Sequence, residues 1–407
     1  MNQSPKQLIV TMGGVIIIAA LLYWVHPWRH SQSQDSSEPE LQSPPQRIIG
    51  QRVVPQGDTE SYATTVREVN DSSNTAASSV RKLAPPSAMP SPVEGSTAVA
   101  EESLAKLIQI NPAQGALTHE QAAQINAWLR QLREQGTAAV PAIRKFLESN
   151  QDVNFDGMEG GSQVDVPTLR LGLIDALQQI GGTEAVQVSV EALQATTNPL
   201  EIAVLAQSLE QLAPGQYRSI ELAAASNMLQ LASAGQWTGG DVSPLFELLQ
   251  HYGDATVVPV LEQAAPKWNY YATLALAGMP NGVGIPALIA LAQDPNISSL
   301  GTGDFALRPL AQAALLYPEA GQALVNLARQ NQIPATAWPT VISSLSGSYI
   351  QYGNGLFGST ALPMSSSPAE IGQRVTFLNQ MLAATSDAPA RQLMQGAITS
   401  LAGKLPP

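Results

Sequence analysis

The chain has 407 residues, of which 44% are apolar, 5% aromatic and 13% charged, with a net charge of −12 and no cysteine. The missing cysteine excludes disulfides, thiol nucleophiles, a lipid-modified cysteine anchor and thiolate-bound zinc. From Glu101 onward 24 Asp and Glu stand against 13 Lys and Arg, a balance that argues against nucleic acid as a ligand and against docking on anionic lipid.

Leu8–Val25 runs for 18 residues without a charge. At about 1.5 Å per residue it reaches roughly 27 Å, the thickness of a hydrocarbon core. Tyr23, Trp24 and Trp28 stand at its end, where amphipathic rings favour the membrane interface. The expectation is an uncleaved N-terminal transmembrane anchor over residues 1–30. A cleaved signal peptide is the rival, but no Ala-x-Ala site follows. The basic residues on the two sides of the span nearly tie. The large cysteine-free remainder favours an extracytoplasmic C-terminal part, which in a Gram-negative host is the periplasm.

Residues 31–100 are rich in Ser, Pro, Gln, Thr and Glu and keep no period. They read as a disordered linker, which as a flexible coil spans on the order of 45 Å. Residues 101–407 then carry one helical pattern after another. Thr118 followed by Gln121 reads as a capping box for a helix with Ala122, Ile125, Leu129 and Leu132 on one face. Three amphipathic helices fill Val166–Gly215. The first carries Leu169, Leu173, Leu177 and Ile180, the second Val186, Val190 and Leu193, the third Ile202, Leu205, Ala206, Leu209 and Leu212. Thr256–Gln263 and Tyr270–Leu276 read as separate helices, and Ile371–Leu382 and Arg391–Leu401 close the chain. No run alternates with period two over a strand's length, so almost no sheet is expected.

Short helices with one apolar stripe each cannot bury it alone and must stack on neighbours. Two segments add a pattern to that argument. One is Val140-Pro141-Ala142-Ile143 through Phe146-Leu147, then Leu169-Arg170 through Ala176-Leu177. The other is Ile285-Pro286-Ala287-Leu288 through Leu291, then Leu307-Arg308 through Ala311 and Ala314-Leu315. Both resemble HEAT-type repeats, including the HEAT-like repeats of phycobilisome lyases. The resemblance implies an all-α fold, a right-handed α-solenoid of HEAT-like helix pairs. It also implies that an Asp before each Arg, here Asp165 with Arg170 and Asp304 with Arg308, bridges neighbouring repeats. Such solenoids act mostly as binding scaffolds, and no chromophore motif accompanies these repeats.

Two irregular loops carry the candidate sites. Asp152-Val153-Asn154-Phe155-Asp156-Gly157 places oxygen ligands at positions 1, 3 and 5 and Gly at 6, as a calcium loop begins. Gln163 stands where the bidentate Glu belongs, so Asp165 would have to complete a site of Asp152, Asn154 and Asp156. The alternative is an ordinary polar loop between helices. The second loop, Ser346–Ser367, is rich in Gly and Ser and carries Tyr349, Tyr352 and Phe357. These rings either anchor a partner or fold back and cap the core. No His-Glu-x-x-His exists, and the Gly-x-Gly segments at Gly282 and Gly301 follow no strand, so neither zinc catalysis nor dinucleotide binding has support. Trp128, Trp237, Trp268 and Trp338 read as packing residues.

The expected protein is a non-enzymatic, membrane-tethered scaffold for a protein or peptide partner, without cofactor unless calcium binds. A wall-polymer binder and a lyase-like accessory enzyme are the alternatives. The anchor orientation predicts that a topology reporter fused after Pro407 is active outside the cytoplasm; activity confined to the cytoplasm contradicts it.

Overall fold

A computed structural model describes residues 94–110, 116–237, 239–294, 305–353, 355–363 and 365–406. All of them fall in one compact unit within Ser78–Pro407. The expected anchor, Leu8–Val25, and all of the linker before Glu94 lie outside the described residues. So does Asp304. Among the described residues no helix is long and apolar enough to cross a membrane.

The described residues form fifteen α-helices and no strand. In chain order they are α1 (Glu94–Ile108), α2 (His119–Glu134), α3 (Val140–Glu148), α4 (Leu169–Ile180), α5 (Gly182–Ala195) and α6 (Pro199–Leu212). They continue with α7 (Arg218–Ser233), α8 (Ser243–Tyr252), α9 (Val258–Gly278), α10 (Ile285–Gln293) and α11 (Leu307–Ala313). The last are α12 (Pro318–Arg329), α13 (Trp338–Leu345), α14 (Pro368–Ala384) and α15 (Ala388–Ala402).

Alternate helices pack side by side in two layers. The first layer is α1, α3, α5, α7, α9, α10, α12 and α14, each against the next. The second is α2, α4, α6, α8, α9, α11, α13 and α15. Helix α9 serves both because it is two helices in one. Pro266 lies inside it and Trp268 breaks the helical backbone at φ −125°, ψ 51°. Before the break Lys267 donates to Ala232 O at the end of α7 (2.6 Å); after it Thr273 donates to Phe305 O beside α11 (3.1 Å). The two helices expected at Thr256–Gln263 and Tyr270–Leu276 are both present and meet without a loop at Trp268. A proline removes only one helical N–H, and a single residue absorbs the turn.

The helix starts follow the sequence. Thr118 caps α2, accepting from Gln121 N (3.2 Å) while Gln121 Oε1 accepts from Thr118 N (2.9 Å). Asn198 caps α6 with Pro199 in its first turn. One start differs: α1 begins at Glu94, within the stretch expected as linker. Ala100, Leu104 and Leu107 share one face and are buried, so the apolar stripe starts one residue before the boundary expected at Glu101. The stripes meet between the layers in one continuous core. Each fully buried Leu in it contributes about 1.5–3 kcal/mol.

Arg170 joins successive pairs, but not through Asp165. Its guanidinium meets Glu201 of α6 at 2.8 and 3.1 Å and Leu147 O of α3 at 2.9 Å. Thr196 Oγ1 donates to the same carboxylate at 2.7 Å. Asp165 is exposed, and its backbone N–H donates to Asn126 Oδ1. The buried charge takes a buried partner because an exposed Asp could not offset the desolvation of Arg170. Arg170→Met strands the Glu201 carboxylate and is expected to cost about 3–5 kcal/mol in urea unfolding. The double variant Arg170→Met, Glu201→Leu is expected to recover most of that loss.

Candidate functional site

The loop before α4 uses its own oxygens. Asp152 Oδ1 accepts from Val153 N (2.8 Å) and from Arg170 N (2.9 Å), so it helps cap α4. Asn154 Oδ1 accepts from Gly157 N (3.0 Å). Phe155 N and Asp156 N both donate to Pro167 O. Val153, Phe155 and Met158 are buried, while Asp152, Asn154, Asp156 and Asp165 stay on the exposed side. The loop is a plug over the ends of α2 and α4. Among the described residues no three His, Cys, Asp or Glu side chains come together as a metal-binding group.

The loop after α13 does more. Its described residues, 346–353, 355–363 and 365–367, run back over the second layer as a strap. Gln312 of α11 donates to Ser348 O (3.1 Å), and Tyr270 OH of α9 donates to Gln351 O (2.9 Å). Gln207 of α6 donates to Leu356 O. Glu247 of α8 accepts from Leu356 N (3.0 Å), and Gln250 of α8 donates to Thr360 O (3.0 Å). Five strap backbone groups are thus held by side chains from four helices. The outgoing and returning legs are joined where Thr360 Oγ1 accepts from Tyr352 N and donates to Tyr352 O, both at 2.8 Å.

Glycine permits this close approach. Gly353 has φ +76°, and a Cβ there would collide with Glu247 Oε1. Gly347 has φ +110°, and a Cβ there would collide with Arg374 Nη1. Both positions have a left-handed backbone that favours glycine, and a Cβ at either would force the facing side chain to move.

The three strap aromatics have different fates. Tyr352 is buried, its ring 5.4 Å from that of Tyr271 and its hydroxyl donating to Gln250 Oε1 (2.8 Å). Burial pushes its phenol far above the usual pKa, so it stays a neutral donor. Tyr352 is therefore part of the fold, as the fold-back alternative requires. Phe357 is half-buried, stacked on His251 (5.6 Å) and edge-on to Tyr252 (5.4 Å). Tyr349 is 59% exposed and remains open to a partner. Trp338 is buried, and Trp128, Trp237 and Trp268 pack against the core.

A carboxylate pair lies close to Tyr252, the ring that Phe357 of the strap meets edge-on. Arg218 sits 4.9 Å over the Tyr252 ring and meets Glu210 at 2.8 and 2.7 Å. Burial opposes ionisation of Glu210, but the bonds from Arg218 and from Gly215 N hold its carboxyl below the usual pKa. Glu221, 1% exposed, is the opposite case. Burial first, then the Glu210 charge, push it up to about 8. Glu221 thus keeps its proton at neutral pH beside ionised Glu210.

Sequence reasoning missed the strap-holding residues Gln207, Glu247, Gln250, Tyr270 and Gln312, and it missed the Glu210–Glu221 pair. A signal existed: Glu247, Gln250 and Gln312 interrupt runs that are otherwise apolar. A polar residue on a buried stripe needs a partner, and here the partner is the strap backbone.

The Glu221 shift sets a pH dependence. An acid whose pKa is raised on folding keeps a proton that the unfolded chain releases, so stability falls as pH rises from about 4.5 to about 8. Glu221→Gln removes that penalty, on the order of 3 kcal/mol at pH 7. Urea unfolding of the variant is expected to show greater stability at pH 8 and a flatter profile above pH 5; an unchanged slope contradicts the assignment. Set against known proteins, the chain matches no protein-family model, no curated protein and no solved structure.

Proposed function

We propose that the chain is a non-enzymatic scaffold whose second helix layer holds an extended peptide segment of a protein partner. In this reading the helical stack is a right-handed α-solenoid of HEAT-like pairs. Leu8–Val25 tethers it to a membrane, and residues 31–100 give it reach on the extracytoplasmic side. The observation that carries the reading is the way the strap is held. Side chains of α6, α8, α9 and α11 bind the backbone of an extended segment at five points. Backbone recognition of this kind gives affinity with little dependence on sequence, and neighbouring pockets then supply selectivity. The strap thus supports a layer chemically suited to extended chains, with Tyr349 and Leu316 left exposed beside it.

Glu221 does not make this an active site. Its carboxyl is buried beside Glu210, and a general acid must reach the substrate atom that takes its proton.

The test is site-specific photocrosslinking in the full-length protein in its native membrane. Crosslinkers at Tyr349 and Leu316 report on the second layer, and one at Leu231, exposed on α7, reports on the first. The expected result is a reproducible protein adduct at the first two positions and none at the third. Equal labelling at all three, or no protein adduct, contradicts the proposal.

A further inference from the structure

The tip of the strap is held as a bound peptide is held. Gly355, Leu356, Phe357 and Gly358 make one turn, closed by Gly358 N donating to Gly355 O (3.1 Å). Helices take both backbone groups of Leu356: Glu247 of α8 accepts from its N–H (3.0 Å), and Gln207 of α6 donates to its C=O. The next side chain, Phe357, is half-buried, stacked on His251 and edge-on to Tyr252. Those two rings meet each other edge-on at 4.6 Å, so they form a fixed corner. The Arg218 guanidinium lies over Tyr252 and is itself paired with Glu210, which holds that wall in place.

The root of the strap is fastened differently. Tyr352 is buried, and Thr360 clasps it through both of its backbone groups. Leu356 and Phe357 lie between these two residues in the chain, and neither takes part in the clasp. The tip is therefore separable from the root. The space around the tip is also larger than the tip itself. A cavity of about 340 Å³ adjoins it, lined by Glu247, Gln250 and His251 of α8, by Pro280 and by the strap from Phe357 onward. A side-chain pair that reads one N–H and one C=O accepts any residue, and a corner of two rings selects an aromatic residue after it.

We infer that Gln207, Glu247, His251 and Tyr252 form the seat for an aromatic-bearing turn of the protein partner, and that Leu356–Phe357 of the strap fills this seat when the partner is absent. The inference rests on the scaffold reading: it gives the partner an address and adds self-inhibition. The tip belongs to the same chain, so it competes at an effective concentration on the order of millimolar. A partner displaces it by making further contacts, and the adjoining cavity leaves room for them.

The probe is acetyl-Gly-Leu-Phe-Gly-amide, titrated into the full-length protein in detergent micelles while the imidazole C–H resonances of His251 are followed. The chain has four His in all, so the signals are few. Phe357→Ala empties the corner and is expected to move these resonances, because the ring current of Phe357 is lost. In that variant the peptide is expected to move them back saturably, with a dissociation constant in the millimolar range for so small a ligand. In the unaltered protein it is expected to bind at least about tenfold more weakly, because the seat is already filled. Adding Gln207→Ala to Phe357→Ala is expected to weaken binding about two- to tenfold, and acetyl-Gly-Leu-Ala-Gly-amide is expected to give no shift. Slow exchange of the Tyr352 N–H, retained in Phe357→Ala, checks that the root stays folded. No peptide shift in Phe357→Ala, equal affinity for the unaltered protein, an equal shift from the alanine peptide, or loss of Tyr352 protection in Phe357→Ala overturns the inference. The peptide reads the seat and the photocrosslinks read the partner. A silent His251 with intact crosslinks removes the seat and leaves the scaffold standing; no protein adduct at any position removes both.

Discussion

Among the described residues no helix buries its stripe against a single neighbour. Most helices run only two to four turns, and isolated helices of that length are marginal in water. Each gains stability by packing against its pair and against the helices two places before and after it. That requirement generates the two layers. It also explains why α9 turns a corner at Trp268 without a loop, since both halves still find neighbours. The buried Arg170–Glu201 pair reinforces the stacking, because Arg170 opens α4 and its partner lies in α6.

A stack of this kind leaves one face of each layer without helical cover. Over part of the second layer the strap supplies that cover. Gln207, Glu247, Gln250 and Gln312 would be poor choices for a bare surface packed by apolar neighbours. They become intelligible once the strap backbone lies over them, because peptide groups need partners as much as the side chains do. Gln250 shows the economy of the arrangement: its amide nitrogen holds Thr360 O while its oxygen accepts from Tyr352.

The helices were legible in the sequence because a 3.6-residue period is a local property. The stripes of α4, α5 and α6 and the Thr118 capping box follow from neighbouring residues alone. What was not legible depends on residues far apart. Gln207 and Leu356, or Gln250 and Thr360, meet across more than 100 positions, and nothing local announces the meeting. The same holds for Arg170, whose partner is the distant Glu201 and not the nearby Asp165. Asp152, Asn154 and Asp156 match the opening of a calcium loop in type and spacing. In the fold, however, Asp152 and Asn154 serve backbone N–H groups, a use that the motif alone does not distinguish. Tyr352 and Phe357 looked alike in a flexible loop, and only the surroundings provided by α8 and α9 separate them.

The account depends on the strap being held by its backbone. Amide hydrogen exchange of the full-length protein tests this at Tyr352 and Leu356, whose N–H groups donate to Thr360 Oγ1 and Glu247 Oε2. The account predicts exchange at least about 100-fold slower than in an unstructured peptide, and faster exchange at both in Gln250→Ala. Exchange at free-peptide rates in the unaltered protein would contradict it.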